Sequence, residues 1–202
     1  MRKGFLVIVS APSGGGKTTI CLNLLKRNPD LVYSVSATTR PIRGSEKDGK
    51  DYFFLSEDEF KKRISRNLFA EWAVVHNNYY GTPRKFVEDN IKSGRVVICD
   101  IDVQGGEKIM AVFPEAVKVF IIPPTWEDLE RRLRSRGTDT EEVILRRLRN
   151  ARKELKYIKK YRYCITNESV RQSVNDLEDI IHAELLTVGR IDNNHSFLRK
   201  ER

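Results

Sequence analysis

Five apolar residues, Phe5-Leu-Val-Ile-Val9, lead almost directly into Ala11-Pro-Ser-Gly-Gly-Gly-Lys-Thr18, and this junction limits the fold more than any other part of the chain. An uninterrupted apolar run of this length suits a strand in a sheet covered on both faces. The three glycines after it let backbone N–H groups turn inward around an anion, and a helix beginning near Lys17 adds its positive amino-terminal pole. Lys17 supplies a point charge for β- and γ-phosphates, and Thr18 a hydroxyl for Mg²⁺. The segment Ala11, Pro12, Ser13, Gly14, Gly15, Gly16, Lys17, Thr18 and Thr19 therefore reads as a P-loop for a nucleoside triphosphate. Ala11 stands where the motif has glycine; the rest of the pattern is intact.

Further apolar runs alternate with helical patterns, which argues for an α/β fold built on a parallel sheet with crossover helices. Strands are predicted at Phe5 to Val9, Tyr33 to Ser36, Val96 to Cys99, Val117 to Ile122 and Tyr163 to Thr166. Helices are predicted at Lys17 to Arg27, Thr125 to Ser135, Glu141 to Lys160 and Val174 to Val188, with Thr125 and Thr140 as N-caps and Gly137 as a helix end. Residues 37 to 95 break the rhythm. They hold the turn Pro41-Ile-Arg-Gly-Ser45, a strand Tyr52 to Leu55, the capping box Ser56-Glu-Asp-Glu59 opening a helix to about Arg66, a strand Glu71 to Val75, and a helix begun by Thr82 and Pro83. Such an excursion between two core strands reads as a substrate lobe. The polar stretch Gly189 to Arg202 reads as a loose tail.

With 202 residues, 40% of them hydrophobic, the chain can bury one sizeable core with small excursions. No apolar stretch approaches the ~18 residues of a membrane span, and the start Met1-Arg-Lys-Gly has no signal-peptide pattern, so a cytoplasmic location is expected. Cys21, Cys99 and Cys164 have no metal-type spacing and are expected as reduced core residues. His76, His182 and His195 are too scattered for a metal site and are expected at the surface. A net charge of +9 favours anionic partners, whether nucleic acid, a membrane face or phosphorylated small molecules, and charge alone does not choose among them.

A second constellation lies in the excursion. Ser36-Ala-Thr-Thr-Arg40-Pro-Ile-Arg43 puts two guanidinium groups three residues apart beside a proline turn, with Tyr52 following. Arginine forks pair bidentately with phosphate, so this cluster can hold a second phosphate away from the P-loop. Glu71-Trp72, Asn78-Tyr-Tyr-Gly-Thr82 and the strand end Asp100-Ile-Asp102-Val-Gln-Gly105 come next. Carboxylates emerging from apolar runs belong at a sheet edge facing a cleft, where open α/β folds bind ligands. Guanine offers ring N–H and amino donors on one edge, with O6 and N7 acceptors on the other. Two carboxylates and the hydroxyls of Ser36 and Thr82 match that set.

At these residues the chain resembles the guanylate kinase family, the GMP kinases of the P-loop nucleoside-monophosphate kinase group. The resemblance covers about residues 4 to 188 and rests on SAPSGGGKT, SVSATTRPIRG, GKDYFF, AEWAVVHNNYYGTP, DIDVQGG and RGTDTEEVILRRL. It implies a P-loop NTPase core with a parallel sheet flanked by helices, an inserted small mixed α/β lobe for the nucleoside monophosphate, and a helical lid. The implied division is one domain, with the core at 4–36 and 96–188, the GMP lobe at about 37–95, the lid at about 132–150 and the tail at 189–202. Arg40, Arg43, Tyr52 and Tyr80 match residues that hold the GMP phosphate, while Ser36, Glu71, Thr82 and Asp102 match those that read guanine. Arg132, Arg136 and Arg147 match lid arginines that reach the ATP phosphates or the phosphoryl group in flight, and Asn167 matches a residue near adenine.

The implied reaction is ATP + GMP giving ADP + GDP, with dGMP as a further acceptor. Lys17, Arg132, Arg136 and Arg147 are the implied catalytic groups; Thr18 and Asp100 are the expected Mg²⁺ partners, Asp100 through water. Neither a nucleic acid nor a membrane is an expected partner, and both a monomer and a homo-oligomer stay open. Two other readings are a kinase for a different phosphorylated acceptor and a catalytically silent binding module. The intact loop from Gly14 to Thr18 and the lid arginines oppose the silent module. Trp72, Phe53 and Phe54 are expected in the lobe core, Glu141 and Glu142 at a helix N-terminus, and Lys153 to Arg162 as a solvated face.

Overall fold

The computed structural model describes residues 2–75, 77–135 and 140–191. Its main sheet is all-parallel and five-stranded. In chain order the strands are β1 (Phe5–Ser10), β2 (Val32–Tyr33), β7 (Val96–Asp100), β8 (Val117–Ile122) and β9 (Tyr163–Thr166), arranged β2-β7-β1-β8-β9. All six residues of β1 are buried, as expected for the central strand. Helix α1 (Lys17–Arg27) follows the glycine loop and packs Ile20, Cys21 and Leu24 into one face of the sheet. That face is shared with Val174, Leu177 and Ile181 of α7 (Val170–Leu185), while α3 (Arg84–Lys92) and α4 (Val103–Val112) contribute Val87 and Ile109 to the opposite face.

Between β2 and β7 the chain builds a second, mixed sheet in the order β4-β3-β6-β5, from β3 (Ala37–Thr38), β4 (Phe53–Phe54), β5 (Phe69–Val75) and β6 (Asn78–Pro83). Its small core is Ala37, Phe60 and Phe69, with Phe60 supplied by α2 (Glu57–Ser65), whose cap Ser56 accepts from the Glu59 amide. Helices α5 (Trp126–Arg134) and α6 (Glu141–Leu155) form a separate cluster through Leu129, Leu133, Ile144, Leu148 and Ala151. Their caps are Thr125 and Thr140, as the sequence predicts.

Several expectations need correction. The run Tyr33 to Ser36 is not one strand: Val32–Tyr33 pairs with β7, the chain crosses over, and Ala37–Thr38 pairs in the other sheet. The helix expected to reach Lys160 ends at Leu155, where bonds from Lys156 to Lys153 and from Tyr157 to Glu154 tighten the chain before a 3-10 turn at Ile158–Lys160. The last long helix starts earlier than expected because Ser169 caps it, and it stops at Leu185. Helix α4 and strand β6 were not anticipated. Thr82 lies in β6, and Pro83 precedes α3 without a side-chain cap.

Cys21 and Cys99 are buried, but Cys164 is exposed because β9 is an edge strand. Trp72 and Phe53 are also exposed, and the lobe fills its core with Phe60 and Phe69 instead. The tail does not begin at Gly189: Lys3 donates to the Arg190 carbonyl, and Arg2 bridges Ile191. Gly137, His76, His195 and Arg136 lie outside the described residues; His182 is exposed. Among the described residues, no helix is long and apolar enough to cross a membrane.

Candidate active site

The glycine loop sits at the carboxyl end of the central strand, the position where open α/β sheets receive ligands. Gly14 and Gly16 have φ of 93° and 90°, a region costly for side-chain-bearing residues. A Cβ on Gly14 would also come within 2.9 Å of Leu133. Ala11 is buried and fits: its own Cβ occupies space that a Cβ on Gly15 would need. Among the described residues, the amides of Gly14, Gly16, Lys17 and Thr18 donate to no protein acceptor. They leave a nest of donors at the start of α1, suited to an anion. Thr18 and Thr19 are exposed beside it.

Lys17 pairs with Asp100, the last residue of β7, whose carboxylate is only 5% exposed. Burial pulls the Lys17 pKa down, but the Asp100 charge and hydrogen bond more than offset this, so the ammonium is held above its ordinary value. Among the described residues, the second carboxylate oxygen of Asp100 is buried without a hydrogen-bond partner. Asp102, two residues on, caps α4 by accepting from the Gln104 and Gly105 amides at 2.7 and 3.2 Å. The missed helix thus accounts for part of what that carboxylate does.

Glu71 is buried in β5 and accepts from the Thr82 hydroxyl of β6 at 2.7 Å. Burial pushes its pKa up to about 7, against the Thr82 hydrogen bond; the nearby Asp102 charge adds to the rise and Lys108 opposes it. Helix α4 crosses so closely that a Cβ on Gly105 would lie 2.9 Å from Glu71 Oε2. A cavity of about 170 Å³ brings Lys17, Thr18, Ser36, Tyr52, Glu71, Tyr80, Asp100 and Asp102 to one wall-to-wall space between the two sheets.

The arginine cluster is organised rather than loose. Arg40 is 6% exposed and makes a bidentate pair with Glu46 at 2.7 and 2.6 Å. Its pKa rises chiefly through that hydrogen bond, while the same contact lowers Glu46. The guanidinium lies 4.8 Å from the Tyr52 ring centroid, and Tyr52 meets Tyr80 edge-on at 6.0 Å. Arg43 is exposed and joins the cluster through its backbone amide, which donates to Glu46.

Around the loop, Arg132 donates to the Asn167 carbonyl at 2.7 Å and Arg147 Nε to the Ser13 hydroxyl at 3.0 Å. Asn167 is 3% exposed, and its amide group is engaged beneath the loop: Nδ2 donates to the Gly15 carbonyl, and Oδ1 accepts from Ser173. It buttresses the loop. Sequence reading also passed over Glu46 and Glu154; both are carboxylates within basic stretches, and only their tertiary partners single them out.

A glycine loop with open amides on a parallel sheet, opposed by a small mixed sheet with its own buried arginine, defines a P-loop NTPase core carrying an inserted lobe. The family profile described as guanylate kinase matches residues 3–184. The guanylate kinase of Caldanaerobacter subterraneus subsp. tengcongensis is 45% identical over 200 residues, covering 99% of this chain and 97% of that protein. That of Carboxydothermus hydrogenoformans is 47% identical over 192 residues, covering 95% and 94%. The crystal structure of guanylate kinase from Anaplasma phagocytophilum superposes with a TM-score of 0.79 at 35% identity, covering 93% of this chain and 89% of that one. This chain belongs to the guanylate kinase family.

Proposed function

We propose that the cavity between the two sheets is where this enzyme moves the γ-phosphoryl group of ATP to GMP, giving ADP and GDP. The observation that carries the site assignment is the shared cavity: the loop residues Lys17 and Thr18 and the lobe residues Ser36, Tyr52, Glu71 and Tyr80 line one space. In this reading the core binds ATP, the lobe of about residues 37–95 binds GMP, and the helices around residues 132–150 cover the donor.

The open amides of Gly14, Gly16, Lys17 and Thr18 cradle the donor phosphates, with Lys17 beside the group that moves. Arg40, Arg43, Tyr52 and Tyr80 hold the GMP phosphate. Glu71 accepts from the guanine N1–H and 2-amino groups while Thr82 fixes its other side, and Ser36 and Asp102 complete the edge. The acceptor oxygen belongs to an already ionised phosphate, so no residue has to remove a proton from it. Catalysis is then positioning and charge neutralisation, with Arg132, Arg136 and Arg147 gathering charge around the transferring group. Arg136 lies outside the described residues, so its part rests on the sequence alone.

The residues fit magnesium. Asp100, one of whose buried oxygens has no partner among the described residues, and Thr18 line the same cavity, a sparse oxygen set of the kind this ion uses when phosphates and water supply the remaining ligands. Thr18 and Asp100 would hold it, and it would neutralise charge on the donor phosphates. A cytoplasmic location belongs to the same reading.

The test is an ADP-release assay with ATP and Mg²⁺ and, in turn, GMP, AMP, UMP and CMP as acceptors. GMP is expected to be strongly preferred. Equal turnover of AMP and GMP would sink the assignment of Glu71 and the guanine edge.

A further inference from the structure

Ser13, at the rim of the glycine loop, is gripped twice by one helix. Its amide donates to Glu154 Oε2 at 2.9 Å, and its hydroxyl accepts from Arg147 Nε at 3.0 Å. Both partners sit on α6, seven residues apart, and seven residues bring an α-helix back to nearly the same face. We infer that Glu154 is a positioning residue for the donor side of the reaction, tying α6 to the glycine loop through the Ser13 amide and thereby setting where Arg147 stands. The inference rests on the reading of this loop as the ATP site.

Three observations carry it. Ser13 directly precedes Gly14, the first of the open amides, so Glu154 takes the rim donor and leaves the amides of Gly14, Gly16, Lys17 and Thr18 to an anion, while Gly15 donates to the Pro12 carbonyl. A carboxylate is a strong acceptor for a backbone N–H, and such a bond in a part-buried place resists exchange with water. The neighbouring loop residue is fixed from α5 as well, since Leu129 and Leu133 crowd Gly14. The α5–α6 pair is itself joined by a buried apolar cluster, so it meets the loop as one piece through Gly14 and Ser13. In sequence Glu154 sits in Arg152-Lys153-Glu-Leu-Lys156, where a solvated charge is the expectation; the structure turns it inward against the loop instead.

The geometry also explains why the contact involves a serine. Its hydroxyl gives Arg147 an acceptor near the loop before any phosphate is present, while its amide gives Glu154 a fixed anchor. Losing Glu154 frees the rim amide and loosens the α6 side of this contact, and Arg147 with it, while α5 still packs on Gly14. Removing Arg147 leaves the anchor intact.

Steady-state kinetics of Glu154→Ala, Glu154→Gln, Arg147→Lys and the double variant Glu154→Ala/Arg147→Lys test this, with thermal unfolding followed in parallel. Glu154→Ala is expected to lower kcat/KM for ATP about tenfold while KM for GMP stays within about twofold. Glu154→Gln, which keeps an acceptor oxygen, is expected to recover most of the loss. Because Glu154 acts through Arg147, the double variant is expected to lose clearly less than the product of the two single losses. Unchanged ATP kinetics in Glu154→Ala, an equal rise in KM for ATP and for GMP, or fully multiplicative effects would each overturn the inference. Lys17→Met serves as the separate control: if that variant turns over normally, the ATP-site reading itself fails, whatever Glu154 does.

Discussion

At neutral pH about half of the Glu71 carboxyls keep a proton that an exposed glutamate would already have lost. Its carboxyl is moved from an ordinary 4.5 to about 7 because burial disfavours the charge, and at about 1.4 kcal/mol per pH unit this is worth roughly 3 kcal/mol. The proposed reading of guanine through two N–H donors needs the ionised form. With a pKa of about 7, roughly one carboxyl in ten is ionised at pH 6, so kcat/KM for GMP is expected to fall about tenfold between a plateau near pH 8 and pH 6. The acceptor phosphate itself titrates near pH ~6, and Glu71→Gln separates the two. That variant keeps the phosphate limb, loses the limb near pH 7, and drops on the order of 10²-fold or more on the plateau, because a carboxamide turns an amino group toward a donor. The stability of the free enzyme gives a second reading. The folded pKa lies above the unfolded one, so the native state binds the extra proton between about pH 4.5 and 7, and stability falls across that window as pH rises, by up to roughly 3 kcal/mol. Glu71→Gln is expected to remove that slope. A wild-type kcat/KM for GMP that is flat from pH 5.5 to about 8.5, or an identical limb near pH 7 in Glu71→Gln, would refute the reasoning.

Three further outcomes are expected. Lys17→Met should cut phosphoryl transfer by on the order of 10³-fold or more in single-turnover measurements while GMP binding is largely kept, and near-normal transfer would contradict the P-loop assignment. Gly105→Ala places a methyl against Glu71 Oε2 and should raise KM for GMP several-fold with KM for ATP unmoved; a shift in both, or in neither, would show that α4 does not set the carboxylate. Arg40→Lys replaces a bidentate fork with a point charge and should lower kcat/KM for GMP about tenfold, measured beside ATP kinetics that stay within about twofold.

The parts of the fold legible in the sequence are those decided by neighbours along the chain. Strand β1, the glycine loop and α1 follow one another within Phe5 to Arg27, and each is announced by local residues: an apolar run, glycines needed at positive φ, and a helix start at Lys17. Ser56, Thr125 and Thr140 declare their helices in the same way. Helix α4 escaped because its first turn holds Gly105 and Gly106, poor helix formers that the packing demands: a Cβ would strike Glu71 at one and Tyr161 at the other. Strand β6 escaped because Asn78-Tyr-Tyr-Gly-Thr-Pro83 has a composition closer to a turn, and only its pairing with β5 and β3 makes it a strand. In the site, residue types were readable but partnerships were not. Nothing local indicates that Arg40 grips Glu46, that Asn167 lies beneath Gly15, or that Glu154 reaches Ser13 across 141 positions of sequence.

The pairing of Lys17 with Asp100 and of Arg40 with Glu46 has a consequence for which anions the cleft admits. Each of these cations, proposed above to meet phosphate, already has a counter-ion of its own. A ligand phosphate must compete with an internal carboxylate, so the binding observed is the difference between two pairings rather than the full strength of one. Stray anions with less charge or a poorer shape than that carboxylate gain little by entering, even though the chain as a whole carries +9. Selection among the anions of the cell therefore begins as ion exchange, before any base is read.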